Sequence, residues 1–155
     1  MRISVCFDRA METVHVVVGV GVLAANLAAG TIGGVAWLRR SPSVPFWYVL
    51  RVAQAAVVLQ VLVGAILVLS DHESPDDLHY VYGLLPLLVT LLAEAARAGA
   101  AERELEGIDF DSLPDDRRRG FVLEIVRRET GIMAVSALVV FGLALRAAGT
   151  SGALL

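Results

Sequence analysis

Residues 45–69 read PFWYVLRVAQAAVVLQVLVGAILVL, with Arg51 as the only charged side chain. As a helix this stretch is about 37 Å long at roughly 1.5 Å per residue, more than the ~30 Å hydrocarbon core of a bilayer. An apolar run of that length is the mark of a membrane span. Three further stretches, about 14–38, 78–97 and 129–148, meet the same criterion of roughly 17–25 mostly apolar residues. The expected fold class is all-α: a four-helix transmembrane bundle forming a single integral membrane domain over 1–155.

Composition agrees. The 155 residues are 57% hydrophobic, above the roughly 45–50% apolar share of soluble domains. All 13 basic residues are arginine and the net charge is −3. No basic stripe with interleaved aromatics points to nucleic acid. Cys6 is the only cysteine, which excludes an internal disulfide and a thiolate metal cluster. No nucleotide-binding loop, nucleophile elbow or zinc-protease helix is present. Asp8 and Glu12 precede the first apolar run, which outlasts the ~7–15-residue core of a signal peptide. The first stretch is therefore expected to be a mature span.

Arginine placement sets the expected orientation. Arg39 and Arg40 follow the first span, and Arg97, Arg103, Arg117, Arg118, Arg119, Arg127 and Arg128 lie between the third and fourth. The connection 71–77 carries Asp71, Glu73, Asp76 and Asp77 and no arginine. Both termini are then extracytoplasmic in a multi-pass protein of a bacterial plasma (inner) membrane. His15, His72 and His79 all fall at the outer face.

Helix ends are signalled by Ser43 with Pro45, by Ser74-Pro75-Asp76-Asp77, by Ser112-Leu113-Pro114-Asp115-Asp116 and by Gly107. Helices 3 and 4 should reach about 43 and 54 Å, extending into a cytoplasmic helical hairpin over about 98–128. Phe121, Val122, Leu123, Ile125 and Val126 lie there between arginine clusters. Within the membrane, Gly30 and Gly34 form a GxxxG for close packing, and Gln54 and Gln60 are expected to make interhelical hydrogen bonds worth about 0.6–2 kcal/mol each. Pro86 is a candidate kink. An unpaired charge at mid-membrane costs roughly 2.5–3.5 kcal/mol on insertion scales, so Arg51 is expected to pair with Glu94.

The candidate site is a repeated signature. His15 is followed one helical turn later by Gly19, and His79 likewise by Gly83, on helices 1 and 3, which run in the same direction. Each histidine offers a ring nitrogen to iron, and each glycine leaves room for the edge of a flat macrocycle. Counted inward from Glu12 and Asp77, the two histidines match in depth to ~1.5 Å. Counted from Arg39 and Arg97, they differ by about 9 Å. The mismatch disappears if Arg103 marks the boundary, with Arg97 lying against Glu94 or snorkelling. Other readings stand beside this one. Interfacial histidines hydrogen-bond at the headgroup level, as Trp37, Trp47, Tyr48, Tyr80 and Tyr82 do in aromatic belts. His72 and His79 with the acids of 71–77 have the chemistry of a divalent-metal site, and a solvated acidic loop accounts for the same residues without a metal.

On His15 and His79, on Gly19 and Gly83, and on the run Gln60-Val61-Leu62-Val63-Gly64, the chain resembles the small four-helix b-type membrane cytochromes. More loosely, it resembles the half-units of heme A synthase. The likeness covers the four spans and leaves out the hairpin. It implies axial-ligand roles for His15 and His79 in binding one heme b. The acid-plus-histidine cluster of a heme-modifying enzyme is missing, so electron transfer is what the resemblance implies, with a quinone or membrane redox partner. The alternative expectation is a non-catalytic membrane subunit or scaffold, in a homo-oligomer or larger complex, whose hairpin docks a partner. A small multidrug carrier needs a carboxylate at mid-span, and Glu94 lies too near the inner end.

Overall fold

The computed structural model describes residues 2–70 and 76–150, with side chains omitted for 2–8, 101 and 111. Its elements are α1 (Arg2–Leu38), α2 (Val44–Leu69), α3 (Leu78–Leu105) and α4 (Asp115–Thr150), with a single 3₁₀ turn at Phe110–Ser112; no strand occurs among the described residues. All four helices are long and apolar enough to cross a membrane. α1 begins well before the apolar run at 14, because helix continues through the polar turn where Thr13 Oγ1 donates to the Arg9 carbonyl at 2.9 Å.

Most helix ends follow the sequence signals. Ser43 caps α2 by accepting from Phe46 N–H at 3.4 Å, with Pro45 in the first turn. Gly107 stops α3 at φ +74°, a left-handed conformation glycine adopts without steric cost. Asp115 and Asp116 occupy the first turn of α4, where the helix dipole favours acids. Two caps differ from expectation. Ser112 Oγ donates to the Asp109 carbonyl at 2.8 Å and so closes the 3₁₀ turn instead of capping α4. At the start of α3, Asp76 Oδ1 accepts from Leu78 N–H at 2.9 Å, and Asp77 makes no side-chain cap bond. Ser74 and Pro75 lie outside the described residues.

Around the bundle, α1 packs along α2 and α4, and α4 along α1 and α3. α2 and α3 meet over a shorter stretch, so α1 and α3 face each other across the diagonal. The α1–α4 seam is built on missing side chains. A Cβ at Gly33 would collide with the Phe46 ring and come within 2.9 Å of Ala134 Cβ, and one at Gly131 would lie 2.8 Å from Trp37 Nε1. Of the GxxxG pair, Gly30 faces Leu138 within the chain, whereas Gly34 faces open space.

The core is made of small residues. Ala29, Ala53, Ala93, Ala134 and Ala137 surround Phe46, Leu50 and Met133, and a separate layer of Val22, Val57 and Val140 lies toward the histidines. The larger apolar side chains point outward instead, among them Val52, Leu59, Leu62, Leu84, Leu91 and Leu92. A protein folded in water does not leave so broad an apolar surface uncovered. Where lipid is the outer solvent, small residues bring the backbones together and large ones face the acyl chains. The chain has the architecture of a multi-pass membrane protein.

This packing predicts an asymmetry between neighbouring glycines. Gly33→Ala should destabilise the bundle by about 1–3 kcal/mol, as overpacking against a fully buried ring does. Gly34→Ala should stay within about 0.5 kcal/mol of the parent. Melting temperatures of the detergent-purified variants measure the difference, and equal behaviour would contradict the seam.

Candidate functional site

Two polar layers that join different helices interrupt the apolar interior, one on each side of the valine layer; the buried Asn26 of α1 donates within its own helix, to the Val22 carbonyl at 2.9 Å. The first holds the histidines. His15 on α1 and His79 on α3 face each other across the bundle, with ring centroids 6.0 Å apart and planes inclined at 58°. The depth count from Glu12 and Asp77 is therefore the one that holds. Arg97 lies against Glu94, its Nε donating to Oε2 at 2.9 Å, as required if Arg103 and not Arg97 is the residue to count from.

Each imidazole has its own anchor. His79 Nδ1 lies 3.0 Å from the Ala147 carbonyl on α4. A carbonyl only accepts, so in the neutral ring Nδ1 carries the proton and Nε2 is left with its lone pair. His15 is met by Gln60 from α2, whose amide nitrogen lies 3.1 Å from Nε2 and 3.4 Å from Nδ1. Gly64, one turn along α2 from Gln60, makes the space for this ring: a Cβ there would stand 3.3 Å from His15 Cε1. Gln60 Oε1 is buried and has no hydrogen-bond partner. A buried carbonyl left in that state costs about 1–3 kcal/mol, so the site has accepting capacity to spare.

The two glycines of the repeated signature behave differently. Nothing lies within 4 Å of a Cβ built at Gly83, whereas one at Gly19 would meet Gln60 Nε2 at 3.3 Å. Room beside His79 is open, and room beside His15 is taken by the amide. Close by on α4, the Arg146 guanidinium sits over the Tyr82 ring at 5.7 Å. Of the acidic-loop metal reading, Asp71, His72 and Glu73 lie outside the described residues. Among those described, no group of three or more His, Cys, Asp or Glu is placed to hold a metal ion.

The second layer is the expected Arg51–Glu94 pair, enlarged. Arg51 donates to Glu94 Oε1 at 2.7 Å and to Gln54 Oε1 at 2.7 Å, and Gln54 Nε2 donates to Glu94 Oε1 at 2.7 Å. Arg97 bridges onward to Glu129 Oε2 at 3.5 Å and stacks over Trp47 at 5.8 Å. Two arginines balance two glutamates across α2, α3 and α4. All the charges are matched, which marks the layer as a structural clasp.

Sequence reasoning found both histidines, both glutamines and the Arg51–Glu94 pair. It missed that Gln60 answers His15, that the Ala147 carbonyl answers His79, and that Glu129 joins the clasp. The spacing of Gln60 and Gly64 by one helical turn was the available signal for the first. A backbone carbonyl leaves none. No family model, no curated protein and no solved structure matches the chain.

Glu94→Ala removes the acceptor shared by Arg51, Gln54 and Arg97. It should cost about 1.5–3 kcal/mol, the range for hydrogen bonds to a charged group, discounted for the half-exposed Arg51. Thermal unfolding in detergent reads the loss, and an unchanged midpoint would mean the clasp contributes nothing.

Proposed function

We propose that this protein is a membrane electron-transfer component that holds one b-type heme between His15 and His79, near the outer face of the plasma membrane. The supporting observation is the facing of the two imidazoles at 6.0 Å. Two imidazoles this close could be shared by one metal. Two histidines alone would leave a bare ion short of the roughly four ligands that structural metal sites use, whereas histidine is an established ligand of heme iron.

Bound heme would supply one-electron chemistry. The chain's own residues would do the rest. His79 offers Nε2 while the Ala147 carbonyl fixes its ring, the kind of outer-shell partner that sets ligand orientation. His15 would be the second ligand, with Gln60 as its neighbour. Gly83 leaves room beside His79, and Gln60 must yield the space beside Gly19. Arg146 supplies a cation at this end for the cofactor's carboxylates, and Val22, Val57 and Val140 seal the site from below. The unpaired Gln60 Oε1 is an acceptor for a hydroxyl-bearing electron partner such as a quinol. A non-catalytic subunit whose hairpin docks a partner is the second reading, favoured by the outward-facing Val122 and Leu123 of α4.

Protein purified after expression with ample heme should show a Soret band and an α-band that sharpens on reduction. His15→Ala and His79→Ala should each abolish that spectrum. Colourless parent protein would overturn the heme reading in favour of the subunit.

Placement of both termini outside the cytoplasm has its own check. In a Cys6→Ser background, Ser41→Cys should react with a membrane-impermeant maleimide only in inside-out vesicles, and Asp77→Cys only in intact cells. The reverse pattern would invert the orientation.

A further inference from the structure

Away from the histidines, a groove of about 580 Å³ runs along the lipid-facing side of α4. Its walls are Val89 and Leu92 of α3 and the Trp37 ring of α1, and its floor is Ile132 and Val135 of α4, with Arg128 at one end. The lining is apolar apart from Arg128 at one end and Ser136, whose hydroxyl is spent on the Met133 carbonyl of its own helix, so the only charge lies at the Arg128 end. That division matches an amphipathic molecule lying parallel to the helices.

The chemistry of the polar end selects the occupant. Arg128 is half-exposed and pairs with Glu104 across the α3–α4 seam. Trp37 Nε1 lies over Gly131 and has no hydrogen-bond acceptor among the described residues. On the other side of Trp37, a crevice is lined by Arg40 and Arg127. Arg127 Nε is buried there without a partner, while the Nη1 of the same guanidinium donates to Glu124 Oε1 at 3.4 Å. Arg40, Arg127 and Arg128 thus outnumber Glu104 and Glu124, and the Trp37 N–H beside the groove lacks an acceptor. What is missing at this end is an anionic oxygen.

We propose that the groove binds an anionic phospholipid, with an acyl chain along Leu92 and Val135 and the phosphate between Arg128 and Trp37. Basic pockets between membrane helices recognise anionic headgroups in this way. The site is independent of the heme reading.

The test uses the full chain in detergent, with lipid retention read by native mass spectrometry. Dioleoylphosphatidylglycerol should be retained about fivefold over dioleoylphosphatidylcholine, and Arg128→Gln should erase that preference, as expected for roughly one arginine's contribution. Val135→Trp, a change at an outward-facing position, should fill the groove and lower retention of both lipids without moving the melting temperature. Equal retention of the two lipids by the parent, or retention unchanged in both variants, overturns the proposal. So does displacement of bound lipid by millimolar glycerol 3-phosphate, which would indicate a free-phosphate site. A dimer that Val135→Trp dissociates would overturn it too, by assigning the groove to a second copy.

Discussion

The close approach of α1 to α4, possible only because Gly30, Gly33 and Gly131 carry no side chains, fixes the rest of the bundle. In lipid there is little hydrophobic gain from pressing one apolar helix on another, so contact must come from backbone proximity and polar bonds. With α1 seated on α4 at that depth, His15 arrives at the level of Ala147. α3, packed along the opposite flank of α4, brings His79 to the same level. The histidine pair is thus a consequence of two separate seams sharing one central helix.

The two polar layers show how differently a membrane interior treats polar groups. In the Arg51–Gln54–Glu94–Arg97–Glu129 layer every charge has a counter-charge, and Glu94 accepts from three donors. Such a layer has no spare capacity and ties α2, α3 and α4 where packing alone is thin. The His15–His79–Gln60 layer is uncharged in its neutral form and incompletely satisfied, with Gln60 Oε1 unpaired. Of the two layers, only this one holds a buried polar side-chain atom without a hydrogen-bond partner.

What could be read in the sequence follows from how local each signal is. Four spans were legible because span length depends only on consecutive apolar residues, and Ser43 and Gly107 because caps act within one turn. Ser112 misled because a serine before proline and acids has the pattern of a cap, while the 3₁₀ turn competing for its hydroxyl depends on Asp109 and Phe110. The His15–His79 facing was legible only as matched depth; rotation of each helix about its axis, which decides whether the rings meet, depends on contacts with neighbouring helices that spacing does not encode. The ambiguity over Arg97 could not be resolved from spacing, because spacing does not show that Arg97 folds against Glu94 within the helical bundle.

α2 illustrates the remaining physical step. It is the most apolar of the four helices and packs closely only on α1, so against α3 it is held chiefly by Arg51 and Gln54 reaching Glu94. That polar clasp sits near one end of the helix, while Gln60 and Gly64 lie two to three turns further along, beside the histidines. Bonds that fix one end of a helix restrain the other only through the helix's stiffness and its contact with α1. α2 is thus tied to α3 by the clasp at one end and to α1, through Gln60 and His15, at the other.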